Sequence, residues 1–350
     1  MDSLRAANRD WQVAASAAML TIETKTSHPD LPAELARARN SIVHRSADGA
    51  VLGSGPFRVK EWNAGRHATF AANDDYWDGR PFLDVVEIQM GGAARDQLID
   101  LELDRADVVE LGIAELRHAG QENLRTIASS PTELMAIVFV PGRTAGEDAH
   151  LRQALALSID RSSIRDVILQ KQGELAGSLL PEWLSGYAFL FPSQQDVAGA
   201  KRLRAQMTAA PAMTLGYDAG DALARAVAER IALNARDIGL SVRAVSVIGD
   251  PSPSTVDARV VREPLVSASF REALAAMAGW LHDPSAQQRA RSAAPAECYE
   301  IEQSLVANSR VIPLFHLPKL MALGPHVHEW TITPLGGWRP ESAWLEPEKP

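Results

Sequence analysis

The 350-residue chain has a single cysteine, Cys298, which excludes an intramolecular disulfide and any thiolate metal cluster and leaves a thiol expected to pack in a helix. Its 35 basic residues form no block and are outnumbered by 44 acidic ones, for a net charge of -9. Nucleic acid and anionic membrane surfaces need clustered Lys and Arg, so neither is an expected partner. No apolar run approaches the roughly 20 residues that span a bilayer, and the first residues, Met1-Asp-Ser-Leu-Arg-Ala-Ala-Asn-Arg-Asp-Trp11, lack the apolar core and cleavage site of a secretory signal. What remains, 46% hydrophobic and 23% charged, is a globular chain long enough for two lobes with separate cores.

Catalytic patterns are equally scarce. There is no Gly-x-Ser-x-Gly elbow, no His-Glu-x-x-His helix and no catalytic cysteine setting. Gly53-Ser-Gly55 lacks the Lys-Ser/Thr ending of a phosphate loop, and residues 216–220 lack the three-glycine spacing of a dinucleotide site, so both read as turns. The residues therefore support no enzyme and require no cofactor. His326 and His328 stand at strand spacing that would put both rings on one face, but no carboxylate or cysteine accompanies them in sequence, so a surface strand outweighs a metal site.

Periodicity gives an alternating α and β pattern. Residues 4–18 are compatible with a helix capped by Ser3, 19–24 alternate as a strand, 31–38 form a short helix capped by Asp30, and 41–44 a strand before an Asp48-Gly49 turn. Gly53-Ser-Gly-Pro-Phe-Arg-Val-Lys-Glu-Trp62 reads as a turn into a strand whose sides alternate Phe57, Val59, Glu61 against Arg58, Lys60, Trp62. Gly55 is expected at positive φ, and Asn63-Ala-Gly65 turns the strand back toward 67–72. Strands follow at 84–90 and 107–111 around a helix at 95–103, and 132–140 is an extended apolar run ending at Pro141-Gly142. Asp148 and Asp160 can cap helices through 157 and 169, the second with a buried stripe of Ile164, Val167 and Ile168. Residues 213–217, a helix capped by Asp221 and ended by Gly239, and 240–247 form a βαβ unit, with no internal repeat. Residues 250–254 and 286–295 read as loose surface loops, 297–308 as an amphipathic helix, and Pro313 suits an edge or hinge strand.

Three ordered segments, Gly53 to Trp62 with Asn73-Asp-Asp-Tyr-Trp-Asp-Gly79, Leu151-Arg-Gln-Ala-Leu-Ala-Leu-Ser-Ile-Asp-Arg161, and Val311-Ile-Pro-Leu-Phe-His316, resemble the extracellular solute-binding proteins of peptide and nickel ABC importers. The resemblance runs from about residue 20 to 345. It implies a two-lobed α/β fold of the type II periplasmic binding class, with mixed sheets flanked by helices, lobe one being 1–130 with 317–350 and lobe two 131–316. It also implies a longer receptor of which this chain is the C-terminal portion, an exported periplasmic location, and capture of an oligopeptide or similar polar solute between lobes for a membrane permease. A monomer is expected, without nucleic acid. The alternative is the sensing domain of a cytoplasmic transcription regulator with the same fold.

The same resemblance places hinge residues at Val138, Phe139, Val140 and Leu314, where strands would carry the chain between lobes. It offers Glu110-Leu111-Gly112 as a ligand-contacting loop, or a plain strand-end turn, and Phe315 and His316 as ligand contacts, with a buried hydrogen-bonded His316 equally open. Trp183, Tyr187, Phe189 and Phe191 supply aromatic faces for a cleft or for a core. In residues 257–269 the family's tryptophan and Asp-Pro are missing. Arg262 and Glu263 stand there as substitutes for its charge pairing or as solvated surface charges.

Overall fold

The computed structural model describes all residues except 1, 18, 26–30, 46–50, 209–210, 249–254 and 347–350. The expected turns at Asp48-Gly49 and 250–254 and the Asp30 cap fall outside the described residues. The chain forms two compact units, residues 1–129 with 320–350 and residues 130–319. Among the described residues no helix is long and apolar enough to cross a membrane.

In the first unit, β1 (Gln12–Ser16) pairs with β2 (Met19–Glu23), and β3 (Val43–Arg45) with β4 (Val51–Gly53). A meander follows of β5 (Phe57–Asn63), β6 (His67–Ala72) and β7 (Val85–Gln89). The hairpin of β5 and β6 turns at Gly65, whose φ of +73° needs glycine, as the turn chemistry required. Its alternation is interrupted, because Val59 faces Phe70 while Glu61 faces Thr69, leaving Lys60 as a bulge that moves Glu61 and Trp62 to swapped faces. Gly55 has no positive φ, and a Cβ there would meet nothing within 4 Å, so the expected need for glycine at that point is corrected. Helix Ala94–Glu102 and β8 (Val108–Leu111) build a core of Leu98, Leu101, Val109 and Leu111 with Leu320 and Ala322.

The second unit is organised by β9 (Arg125–Phe139), β10 (Glu174–Leu175), β11 (Met213–Asp218), β12 (Val242–Val247), β13 (Ala258–Pro264) and β14 (Val311–Leu323), in the order β10-β14-β9-β13-β11-β12. Strand β9 stands inside this sheet, so Leu134, Met135, Ala136 and Ile137 are all fully buried, the continuous apolar run that two covered faces require. Helices start where aspartates satisfy free N–H groups: Asp148 accepts from His150 and Leu151, Asp160 from Ser163, and Asp221 from Ala224. Cys298 packs fully buried in helix Pro295–Val306, as expected. Past Leu320, β14 pairs with β8, and β15 (Val327–His328), β16 (Thr331–Ile332), β17 (Trp338–Arg339) and β18 (Trp344–Leu345) form two small ribbons.

Four further expectations change. The first helix ends at Ala7, where the buried Asn8 amide bonds back to the Leu4 carbonyl, and residues 12–16 become a strand. Residues 284–290 are helical, capped by Asp283 with Pro284 at the first turn, which pre-sets helical φ. Val167 is 72% exposed, since its helix ends there and only Ile164 of the expected stripe is fully buried. Pro313 lies in a strand with neighbours on both sides, at a point where the buried Arg161 guanidinium takes its carbonyl.

Candidate functional site

Strands β11, β12 and β13 are parallel, and their carboxyl ends, where ligands of α/β sheets bind, lie at Asp218, Val247 and Pro264. At the end of β13, Arg262 Nε donates to Glu133 Oε2 at 2.7 Å and Nη1 to Asp221 Oδ2 at 3.4 Å. Register explains the first pair, since Arg262 and Glu263 face Met135 and Leu134 on antiparallel β9 and bring Glu133 alongside. The second partner is the cap of helix Ala222–Asp237, whose other oxygen holds the Ala224 N–H. Burial works to lower the Arg262 pKa, but Glu133 and Asp221 overcome it and raise the guanidinium further. Arg262 is therefore a paired charge at an exposed position. Glu263 is held above the usual carboxylate range by burial and by Glu133. Nearby in sequence to Glu133, the Pro131 carbonyl accepts the Trp183 indole N–H at 2.8 Å, which fixes that ring.

At the other edge of the sheet, β10 pairs Glu174 with His316 and Leu175 with Phe315. Phe315, expected as a ligand contact, is fully buried in the core. His316 is 2% exposed; burial pushes its imidazole down to about 3, so it is neutral. It also lines an open cavity of about 470 Å³ with Glu174, Glu182, Phe189, Leu190 and Gln194. The expected aromatic group divides: Tyr187 and Phe191 pack on Tyr299, with ring centroids 5.7 and 5.3 Å from it, while Phe189 stays 73% exposed at the cavity. Beneath them Glu302 is fully buried and accepts the backbone N–H groups of Leu179 and Leu180. Burial raises it to about 7 against those hydrogen bonds.

The remaining expected positions lie elsewhere. Glu110 is exposed on β8 opposite Met321, Leu111 is buried in the first unit's core, and Gly112 has extended backbone with the Glu115 carboxylate folded over it. The expected hinge residues fall inside the second unit. Val138 and Phe139 pair with Arg259 and Ala258, Val140 N–H donates to the Asp257 carbonyl, and Leu314 is fully buried. The chain passes between units at Ser129–Ser130 and Lys319–Leu320, within β9 and β14. His326 bonds Asp107 at 2.6 Å and His328 stacks on Trp344 at 4.0 Å. Among the described residues no three His, Cys, Asp or Glu side chains are grouped to hold a metal.

Residues 13–288 match the family described as bacterial extracellular solute-binding proteins, family 5 middle. The chain belongs to this family. Over 147 residues the family 5 chain is 31% identical to the oligopeptide-binding protein AppA of Bacillus subtilis, an alignment covering 42% of this chain and 26% of AppA. Over 200 residues it is 24% identical to the nickel-binding protein NikA of Staphylococcus aureus, covering 55% and 40%. It thus spans well under half the length of these curated relatives. The crystal structure of the ABC transporter substrate-binding protein CtaP of Listeria monocytogenes superposes with a TM-score of 0.80 at 16% identity, over 96% of this chain and 78% of CtaP. The family and the α/β fold class expected from the motifs are both borne out.

Sequence reasoning did not single out Glu133, Glu174, Glu182 or Glu302. Glu302 left a signal, standing with Cys298 and Leu305 on the buried stripe of its helix, where a charged residue is out of place unless held. The others left none, since each acquires its partners across strands or loops.

Proposed function

We propose that this family 5 chain is the solute-capturing component of an ABC importer, acting outside the cytoplasmic membrane and handing a short peptide or comparably polar molecule to a membrane permease. Family membership supports extracellular solute binding, and the names of AppA and NikA specify an oligopeptide and nickel as the ligands of those relatives. The observation that carries the reading is Arg262 held between Glu133 and Asp221 at the carboxyl ends of parallel strands. This cluster offers a guanidinium to a carboxylate and carboxylates to an amine, the two ends of a zwitterionic solute. Trp183, anchored on Pro131, adds an apolar face. Binding of this kind is reversible and needs no covalent step, cofactor or second copy.

Titration calorimetry of the chain with mixed dipeptides and tripeptides, and separately with nickel and histidine, tests this. Saturable peptide binding that weakens about tenfold or more in Arg262→Ala is expected, the worth of one charge-assisted hydrogen bond. No saturable binding to either class, or the same affinity in the variant, would overturn it.

A further inference from the structure

The cavity beside β10 has a wall chemistry the importer reading does not use, and it lies wholly within the second unit. Opposed residues of an antiparallel pair project from the same face, so Glu174 and His316 share one side of the sheet. The Ser178 hydroxyl donates to the Leu180 carbonyl at 2.8 Å, which leaves its oxygen to accept from His316 Nε2 at 3.5 Å. With Nε2 as the donor in that contact, Nδ1 is left as an acceptor. Nδ1 is buried and has no hydrogen-bond partner. Glu182 receives the Phe189 N–H at 3.0 Å, and neither it nor Glu174 has a cationic partner among the described residues. No Lys or Arg lines the cavity, and Arg161, which reaches the Ser193 carbonyl on its rim, is directed chiefly to the Pro313 carbonyl. Burial and the charge of Glu182 both push Glu174 above its ordinary range, as expected where two carboxylates lack a counter-charge. The rest of the wall combines Ser193 and Gln194 with apolar side chains, of which Phe189 is 73% and Leu190 51% exposed.

We propose that this cavity is a second binding site, for a small primary amine in its ammonium form that carries an apolar or aromatic body. An ammonium group has three donors and no acceptor, complementary to two carboxylates and the His316 Nδ1 lone pair, while its body covers Phe189 and Leu190. The proposal stands whether or not the chain is an importer subunit.

Calorimetry with phenethylamine, 2-phenylethanol and 3-phenylpropionate at neutral pH tests it. The amine is expected to bind saturably with one-to-one stoichiometry and the alcohol and acid not to bind. Glu174→Gln and Glu182→Gln, both at exposed positions, are expected to weaken the amine at least about tenfold while Arg262→Ala leaves it unchanged. Equal binding of all three probes, no amine binding, unchanged affinity in both Gln variants, or loss of the amine in Arg262→Ala would overturn it. Failure of the peptide titrations has no bearing on this outcome.

Discussion

The Glu302 carboxylate accepts the Leu180 backbone N–H at 3.0 Å across 122 residues of sequence. A helix thereby holds the loop that leads to Trp183 and Tyr187, and the cost is a buried charge. Because the folded pKa is raised from 4.5 to about 7, the carboxyl's favourable contribution is full below about pH 4.5 and is lost as pH rises through 7. Glu302→Gln keeps an acceptor for the two N–H groups and removes the charge. Urea unfolding at pH 5 and pH 8 should show the parent losing on the order of 3 kcal/mol more than the variant over that interval. Parallel pH profiles would refute the assignment.

Arg161 Nη2 donates to the Pro313 carbonyl at 2.8 Å and Nε to the same oxygen at 3.1 Å, both bonds buried. Burial lowers its pKa only to about 10, so the guanidinium stays charged at neutral pH. Arg161→Met should destabilise the chain by about 3 kcal/mol in urea, since two buried charge-assisted hydrogen bonds to the Pro313 carbonyl are lost. A midpoint equal to the parent's would show that the pair adds nothing.

Gly65, at the turn of the β5–β6 hairpin, has φ +73°, whereas Gly55, ahead of β5, has no positive φ. Gly65→Val should cost about 1–2 kcal/mol in a thermal melt, because a β-branched side chain is penalised in the left-handed region. Gly55→Val should be near neutral, as the residue before Pro56 is confined to extended backbone that valine accepts. The reverse order would contradict the turn geometry.

A Cβ on Gly177 would lie 2.6 Å from the Pro192 carbonyl oxygen and 2.7 Å from that of Phe191, and neither backbone atom can step aside cheaply. Gly177→Ala should therefore lower stability by about 1–3 kcal/mol and expose the loop amides around 190 to faster hydrogen exchange. Gly120→Ala, in helix Leu116–Gln121 where a Cβ meets nothing within 4 Å, is the control and should not lower stability or change exchange around 190.

Local signals in the sequence determined what depends on residues a few positions apart. Asp148, Asp160 and Asp221 each bond an N–H two or three residues ahead, Gly65 sets a turn, and the βαβ unit of 213–247 follows from periodicity. The three motifs, being continuous, sufficed for the family and its α/β class. Tertiary structure alone decided the sites. Glu133 meets Arg262 only through the register of β9 on β13, Glu174 meets His316 only through β10 on β14, and the exposure of Val167 depends on where its helix ends. A cap or turn is specified by the few side chains within its own hydrogen-bond reach. A charge pair across strands depends on pairing choices made by the whole sheet, and a strand buried on both faces has no alternation from which to read its neighbours.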